Sequence, residues 1–550
     1  MNIYWLNPPL RLHDIVSDLG WMNFSHHCKE YNWIQPIIDW DNYSTVDSIV
    51  QHIEENDTDI ICISTYLWNF KLCHVVAEEA KFRNPNLIVI QGGPHQGYTD
   101  KFFEEHPFID YMCYATGHGE NFMDAALKQI KEYGRVVYPS KVPHMICRGY
   151  QSLNEKSKYV YPEDSSLEYN LDYLIELQYV SKKKKKFLRL MYETTRGCPY
   201  ACTYCEWGGG VGSKVSVKST ELIKRDIDIM SFMKVEHFEF TDANIGILDR
   251  DVEIAEYIGQ NKLKYGYPKT LHIYGVAKVK LKKKEAILDA LVKYNLYEEM
   301  SISIQSIDPK LLENIKRTDI PLEENLYLAK KYKEIGETNR KSNGQISVIP
   351  VLELLLGIPG YTLKHFYDEF DYIHEYSNLE KERYLLCILP DAEMFTDFQR
   401  KLWKIKTIRI GGDGRYLDLD SEDYKNLAKN SKSVLADPLF SSPFEVVVST
   451  FSFTSEEWKE MFIMNRIAKA FREIIPKNVK PSEFLKGLFL KLKDTEFYFK
   501  VNSFLDEVIA GKIMPADVSI IDNVSFLEYM KDSTFLDTLG MELNADKLLS

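Results

Sequence analysis

Short apolar runs alternate with amphipathic segments along most of this sequence, and that alternation restricts the fold more than any other feature. Strands that alternate with helices form βαβ units, which build a parallel sheet. Continuous apolar strands suit a sheet that is covered on both faces. In the first third we predict strands at residues 2–6, 33–38, 60–64, 87–90 and 111–115. We therefore expect an N-terminal Rossmann-like α/β domain with a parallel sheet.

A second series of strand and helix patterns begins near residue 187. It predicts six β/α units in about 200 residues, with strands at 187–193, 237–241, 272–276, 301–305, 347–356 and 384–389. Eight such units make a complete TIM barrel, so six predict a central partial (β/α)6 barrel. In that architecture the chemistry takes place at the carboxyl ends of the strands.

The remaining segments divide the chain into parts. We predict the α/β domain at 1–135, a linker at 136–185, the barrel at 186–400 and a mainly helical domain at 401–550. The linker ends in five consecutive lysines, which favour a solvated connector over a nucleic-acid contact. The glycine-rich segment at 411–414 predicts a tight turn, because the lysine of a phosphate loop does not follow it. We expect the C-terminal helices to cap the barrel mouth and to hold the substrate.

Composition bears on location and partners. The chain has 550 residues and a formal net charge of −13, so we expect no nucleic-acid partner. The first residues lack a basic region followed by an apolar run, so we predict no signal peptide. No apolar run reaches the roughly 18 residues that a membrane span needs, and we therefore predict a cytoplasmic protein without a membrane partner.

Three cysteines follow the first predicted barrel strand in the spacing C-x3-C-x2-C. They are Cys198, Cys202 and Cys205, whereas the other six cysteines are scattered and predict buried reduced thiols. In a reducing compartment, clustered cysteines indicate a metal site. Zinc is the main alternative, but it usually takes four ligands and no second Cys/His pair lies nearby. Several thiolates on one short loop are typical of an iron–sulfur cluster, and three of them leave one iron open.

Small and polar residues stand at the carboxyl ends of the first-domain strands, where open α/β sheets bind ligands. Glycines there let a ligand approach the backbone, and a helix N-terminus favours an anion or a polar group. Taken singly, each of these segments is also compatible with an ordinary turn. The predicted ligand contacts are Pro8, Pro9, Ser64, Tyr66, Gly92, Gly93, Pro94, His95, Gly117, Gly119 and Glu120.

The segments Gly92-Gly93-Pro94-His95 and Gly117-His118-Gly119-Glu120 resemble the cobalamin (B12)-binding domain that precedes many radical S-adenosylmethionine (SAM) enzymes. The resemblance implies that these strand ends bind cobalamin. Family members often carry Gly-Glu-Gly-Glu at the second site, so His118 is a departure. The residues around His13 do not match the Asp-x-His-x-x-Gly segment that supplies a lower histidine ligand. The resemblance therefore implies cobalamin bound without a protein imidazole.

The cysteine spacing and the β/α units resemble the radical SAM superfamily over residues 186–400. The resemblance implies that the three cysteines bind three irons of a 4Fe-4S cluster. It also implies that SAM chelates the open iron, where one electron from a donor such as flavodoxin or ferredoxin cleaves it to a 5′-deoxyadenosyl radical. Tyr204 would pack beside the adenine, or it packs only within its own loop. Arg317 could contact SAM, but a surface position is favoured.

The resemblance further implies SAM contacts from the ends of other barrel strands. Ser303 and Gln305 lie two residues apart, so the strand period places both on one face. Gly357 begins a Gly-x-Pro-Gly-x-Thr turn like the family's turn near adenine, and Thr362 also suits a helix cap there. Glu353 faces SAM or is a paired polar residue of the barrel. The predicted SAM contacts are Tyr204, Asp242, Asn244, Ser303, Gln305, Glu353, Gly357 and Ile358.

The two resemblances together imply a cobalamin-dependent radical SAM enzyme, with C-methyl transfer as the favoured reaction. Methylcobalamin would deliver a methyl group to an unactivated carbon of a small-molecule or peptide substrate. The cofactors would carry the chemistry, while the protein would place them and exclude solvent. A non-methylating enzyme that cyclises, rearranges or oxidises its substrate is one alternative. A non-catalytic cobalamin or redox sensor is the other.

Overall fold

The structure of this chain is a computed structural model. It describes residues 1–9, 14–95, 101–114, 119–152, 159–207, 214–273, 278–296, 299–318, 320–343, 349–377, 380–390, 392–410, 430–432, 434–435, 444–471 and 479–513. His13, Gly117, His118 and the turn predicted at 411–414 lie outside these residues. Among the described residues, no helix is both long enough and apolar enough to cross a lipid bilayer.

The first domain is built on a seven-stranded sheet. The strands described in this part of the chain are β1 (Asn2–Leu6), β2 (Ile15–Val16), β3 (Asn32–Trp33), β4 (Ile60–Ser64), β5 (Ile88–Gly92), β6 (Tyr111–Cys113), β7 (Met145–Cys147) and β8 (Tyr150–Gln151). The strand order in the sheet is β3-β1-β4-β5-β6-β7-β8. From β3 to β6 all pairs are parallel, as predicted, and β7 and β8 extend the sheet antiparallel.

Helices cover both faces of this sheet. They are α1 (Leu19–His27), α2 (Val46–Glu55), α3 (Phe70–Arg83), α4 (Phe102–Glu105) and α5 (Gly119–Tyr133). All of β4 is buried because its alternate residues enter two separate hydrophobic clusters, Ile60 in one and Ile61 in the other. The strand predicted at 33–38 is wrong beyond Trp33. Pro36 has no amide hydrogen to give to a sheet, and the chain leaves β1 before reaching it.

Residues 136–185, which we predicted as a linker, contribute β7, β8 and the helices α6 (Ser166–Tyr169) and α7 (Leu171–Lys184). The lysine run begins in the last turn of α7, where positive charge complements the helix dipole. Lys182, Lys183 and Lys185 are exposed, as a solvated run predicts, whereas Lys184 is partly buried. Its ammonium group lies 3.0 Å from Asp39 and 3.1 Å from Asp41 of the first domain.

The central strands form a partial barrel, as predicted. They are β9 (Leu188–Tyr192), β10 (Thr195–Arg196), β11 (Ser216–Val217), β12 (His237–Phe240), β13 (Thr270–His272), β14 (Glu299–Gln305), β15 (Ile349–Leu356) and β16 (Glu380–Leu385). Six of them pair in parallel, as β9-β12-β13 and β14-β15-β16, while β10 and β11 form a short antiparallel pair. From the first domain, β2 pairs parallel with the outer edge of β9.

The barrel helices lie between these strands. They are α8 (Thr220–Phe232), α9 (Arg250–Tyr265), α10 (Leu281–Lys293), α11 (Pro309–Asn314), α12 (Leu322–Asn343) and α13 (Leu363–Ser377). The strand predicted at 384–389 begins four residues earlier in the structure, at Glu380. The reason is that its first residues are charged, which hides the apolar pattern of a strand.

The C-terminal part combines a small sheet with helices. Its elements are β17 (Cys387–Ile388), α14 (Asp397–Trp403), β18 (Lys406–Ile410), β19 (Phe444–Ser449), α15 (Ser455–Phe471), α16 (Pro481–Leu492) and α17 (Glu496–Ile509). The helices were expected, but the antiparallel sheet β17-β19-β18 was not. Helices α15 and α16 pack against α13, and their hydrophobic cluster includes Leu356 and Ile358. The C-terminal part therefore contacts the barrel at the end of β15.

Candidate cluster and cofactor sites

The cysteine loop begins just beyond β9, at the carboxyl end of the barrel strands. Cys198, Cys202 and Cys205 line one cavity of about 390 Å³. The β10–β11 pair closes the base of the loop, and Gly197 turns the chain into it with a φ of 94°. The three thiols therefore share one space.

Two side chains donate hydrogen bonds to these sulfur atoms. Asn244 Nδ2 lies 3.2 Å from Cys198 Sγ, and Arg317 Nη1 lies 3.6 Å from Cys202 Sγ. Hydrogen bonds to the sulfurs tune an iron–sulfur cluster and orient its ligands. The surface position that we favoured for Arg317 is wrong, since its guanidinium lines the cavity.

The chemistry of this donor set fits a cluster. Burial raises the pKa of the Cys205 thiol to about 11, so binding a metal would release its proton. No three Cys, His, Asp or Glu side chains within the described ranges are arranged to hold a single metal ion. A cubane cluster instead takes each thiolate on a separate iron, and the shared cavity suits that arrangement.

Polar ends of the barrel strands line the same cavity. Ser303 and Gln305 both face it, as the strand period predicted, although the pairing register with β15 shifts between them. The Ser303 hydroxyl bonds to Glu353, which also lines the cavity. The side-chain oxygen of Gln305 is buried and has no hydrogen-bond partner among the described residues. Such an atom costs about 1–3 kcal/mol, so it fits a ligand that brings a donor, as SAM would.

The end of β12 is fixed to the end of β9. The buried carboxylate of Asp242 accepts hydrogen bonds from Thr194 N at 3.0 Å and from Thr194 Oγ1 at 2.6 Å. Burial raises the pKa of Asp242 to about 7. Asp242 and Asn244 both line the cavity, so the structure brings them to the cysteines as expected.

The other predicted SAM contacts divide into two groups. Tyr204 lines the cavity and also packs against the C-terminal hydrophobic cluster, so its packing is not confined to its own loop, and its contact with the adenine stays a prediction. Gly357 and Ile358 are not among the lining residues. Ile358 is fully buried in the C-terminal cluster, and Gly357 lies beside Phe453.

A second cavity, of about 430 Å³, opens at the carboxyl edge of the first sheet. Its lining includes most of the predicted cobalamin contacts, namely Ser64, Tyr66, Gly92, Gly93, Pro94, Gly119 and Glu120. Pro8, Pro9 and His95 do not belong to that lining. The Pro8 carbonyl instead accepts a hydrogen bond from Asn69 Nδ2 at 3.2 Å. His95 packs edge-on against Phe70, and burial lowers its pKa to about 4.

Two glycines shape the floor of this second cavity. Gly93 has a φ of 101°, and a Cβ atom there would lie 2.4 Å from the backbone of Thr65. A Cβ atom at Gly119 would lie 2.5 Å from the ring of Phe24. A side chain at either position would collide with the protein itself, so glycine is needed for the close packing that forms the floor of the cavity. The described lining contains no histidine, and binding without a protein imidazole stays a prediction because His13 lies outside the described residues.

Asp18 lines the second cavity and was missed by the sequence analysis. Its carboxylate caps α1 by accepting from Trp21 N at 2.8 Å. It also accepts from Trp5 Nε1 at 2.8 Å and from Asn7 Nδ2 at 3.0 Å. Burial raises its pKa. An aspartate just before a helix is the sequence signal of an N-cap, and it could have drawn attention to Asp18. The helix α1 itself was not predicted, so the signal was not recognised.

Arg196 joins the first domain to the cysteine loop. Its Nη1 lies 2.8 Å from Glu120 Oε1 at the start of α5, and its Nη2 lies 2.8 Å from Glu193 Oε2 beside the loop. The guanidinium stacks 4.2 Å from the ring centre of Tyr159. Both carboxylates hold the pKa of Arg196 above its usual range despite burial.

The two cavities share a wall. Met191, Trp207 and Thr241 line both of them. Met191 lies on β9 and Thr241 follows β12, so the wall stands at the carboxyl ends of adjacent barrel strands. A group bound in the first-domain cavity would therefore face a group bound beside the cysteines.

Comparison with known families agrees with this arrangement. Residues 192–373 match the model of the radical SAM superfamily, and residues 11–127 match that of the B12 binding domain. The cobalamin-dependent radical SAM methyltransferase TokK of Streptomyces tokunonensis is 29% identical over 64% of this chain and 50% of its own length. The 2-(S-pantetheinyl)-carbapenam-3-carboxylate methyltransferase of Streptantibioticus cattleyicolor is 28% identical over the same shares. This chain thus spans about half the length of these relatives.

Solved structures with a similar fold include TsrM and OxsB. TsrM of Kitasatospora setae, a radical SAM methyltransferase solved with tryptophan substrate and aza-SAM, superposes with a TM-score of 0.58 at 14% identity. The match covers 85% of this chain and 89% of TsrM. OxsB with aqua-cobalamin and SAM bound gives a TM-score of 0.53 at 13% identity, over 100% of this chain and 77% of OxsB. At sequence identities of 13–14%, this similarity shows only that the chain shares their fold.

Proposed function

Because this chain belongs to the radical SAM superfamily and carries a B12-binding domain, we propose that it is a methyltransferase that methylates a carbon atom of its substrate. The observation that carries the proposal is the wall shared by the two cavities at Met191, Trp207 and Thr241. Cobalamin bound in the first-domain cavity and SAM bound beside the cysteines would lie on the two sides of this wall.

The cofactors of such an enzyme are a 4Fe-4S cluster, SAM and cobalamin, which supply hydrogen abstraction and a methyl group when bound. Cys198, Cys202 and Cys205 would hold the cluster, and Arg317 would donate to one thiolate. Gln305 would accept a hydrogen bond from SAM, since its oxygen is otherwise unsatisfied.

The rest of the site would orient the second cofactor and exclude water. Gly93 and Gly119 allow the close packing of the cavity floor, while Phe24 and Trp207 cover the cavity with apolar surface. A dry, apolar setting protects a reactive carbon centre from side reactions. These features support methyl transfer to an unactivated carbon of a small molecule or a peptide.

The relatives point in the same direction. Two of them are named as cobalamin-dependent or carbapenam methyltransferases, and the hopanoid C-3 methylase of Methylococcus capsulatus is 26% identical over 50% of this chain. These relatives support carbon methylation of a small molecule here. A low-potential electron donor such as flavodoxin or ferredoxin would be the protein partner, and a cytoplasmic location would suit the cluster.

The test is anaerobic reconstitution with iron, sulfide and cobalamin, followed by turnover with SAM, a reductant and candidate substrates. We expect 5′-deoxyadenosine and S-adenosylhomocysteine together, with two SAM consumed per methylated product. 5′-Deoxyadenosine without a methylated product would favour cyclisation, rearrangement or oxidation. Absence of 5′-deoxyadenosine would contradict both the methyltransferase and the non-methylating enzyme, and it would favour a sensor. The Cys202→Ala variant is the matched control and should lose the cluster absorbance.

A further inference from the structure

The back of the cysteine loop is bonded to a surface segment. Thr203, between Cys202 and Cys205, donates its N–H to Ile315 O at 3.0 Å. Its carbonyl oxygen accepts from Met394 N at 2.8 Å. Residues 393–403 therefore stand directly behind the loop, one hydrogen bond from the cluster site.

That segment exposes an apolar patch. Phe398 and Leu402 lie four residues apart on α14, so they share one face. Phe451 N donates to Trp403 O at 2.9 Å, which brings the Phe451 ring beside the same helix. The four exposed side chains, which we call the α14 patch, are Phe395 (43% exposed), Phe398 (69%), Leu402 (50%) and Phe451 (53%). Adjacent exposed apolar side chains with a charged rim mark a partner-binding surface.

The rim of the α14 patch is basic, although the chain as a whole carries a formal charge of −13. Two nearby cations are already paired, Lys316 with Glu393 at 2.6 Å and Arg400 with Glu445 at 2.9 Å. Asp397 is the acidic side chain at the start of α14. Three exposed lysines follow it and form no ion pair among the described residues, namely Lys401, Lys404 and Lys406.

We propose that the α14 patch is the docking site of the electron donor, a small acidic protein with a low-potential flavin or iron–sulfur centre. This inference rests on the proposed function, because reductive cleavage of SAM needs one electron from outside. The donor loses that electron, the cluster site behind Thr203 gains it, and no bond forms or breaks at the surface. The lysines attract the acidic partner and the aromatic side chains hold it, as complementary charge and apolar anchors do at other interfaces.

The test measures binding directly. An acidic flavodoxin is titrated anaerobically against the reconstituted holoenzyme at low and at high salt. The variant carries Lys401→Glu, Lys404→Glu and Lys406→Glu, and its matched control carries Lys264→Glu, Lys282→Glu and Lys330→Glu on the outer barrel helices. We expect at least a ten-fold weaker affinity for the first variant and less than a two-fold change for the control. Wild-type binding should weaken as salt shortens the screening length to roughly 10 Å and below.

Turnover separates docking from catalysis. With dithionite, the first variant should form 5′-deoxyadenosine as fast as the wild type, whereas with reduced flavodoxin it should be at least ten-fold slower. Phe398→Ser keeps every charge and should also weaken flavodoxin binding. Equal flavodoxin affinity for wild type and both patch variants would overturn the proposal. If the wild type formed no 5′-deoxyadenosine with either reductant, the proposed function would fail, while the binding data would still decide the docking site.

Discussion

The Arg196 ion pair between the first domain and the cysteine loop can be tested by replacing Glu120 with glutamine. Glutamine keeps the size of the side chain and one acceptor oxygen but removes the charge. Both partners are buried, with 11% of the Arg196 side chain and 4% of the Glu120 side chain exposed. Removing one partner of a buried pair costs roughly 3–5 kcal/mol. Here we expect about 2 kcal/mol, because Glu193 keeps Nε and Nη2 of Arg196 bonded.

A double-mutant cycle isolates the interaction between Glu120 and Arg196. The free energy of unfolding is measured by urea titration for the wild type, Glu120→Gln, Arg196→Met and the double variant. We expect a coupling energy of about 1.5–3 kcal/mol, in the range of interacting neighbours. Glu132→Gln, an exposed change on the same helix, is the control and should change stability by less than about 0.5 kcal/mol. A coupling energy below about 0.5 kcal/mol would refute the role of Arg196 as a bridge between the domains.

Three further outcomes follow from the sites. Gly93→Ala should abolish the visible spectrum of bound cobalamin but keep the cluster spectrum, because its Cβ would lie 2.4 Å from the Thr65 backbone; normal cobalamin binding would contradict the cavity assignment. Gln305→Leu should raise the KM for SAM about ten-fold, as loss of one ligand hydrogen bond does. An unchanged KM would contradict the proposed hydrogen bond between Gln305 and SAM. Burial raises the pKa of Asp242 to about 7, so the folded state keeps a proton that the unfolded state releases near pH 4. As the pH rises from about 4 to 7, the free energy of unfolding from urea titrations should therefore fall more steeply for the wild type than for Asp242→Asn. Parallel pH curves for the two proteins would contradict this assignment.

Elements with a local signal were predictable. The strand at Ile60–Ser64 was placed with its correct ends, because a continuous apolar run between polar segments is a local feature. The cysteine spacing and the face shared by Ser303 and Gln305 are also local, and both led to the cavity beside the barrel mouth.

Elements that depend on distant partners were not predictable. Strand β2 has only two residues and forms because Ile15 pairs with Leu188 of β9, far along the chain. The sheet β17-β19-β18 likewise joins short strands from separate parts of the chain. Arg196 lies only two residues before the first cysteine of the motif, yet its link to Glu120 depends on how the two domains meet. Sequence pattern carries no information on such pairings.

The two residues of β2 also affect how this chain can be divided and how it folds. The ribosome makes β2 long before β9, so the partner that covers the outer edge of β9 is already present when the barrel begins to form. A chain begun after residue 135 would lack that partner and would leave the edge of β9 open to pairing with other molecules. We therefore expect the isolated barrel to aggregate. In the whole chain, the N-terminal segment would prevent this by covering the edge of the sheet that carries the cysteines.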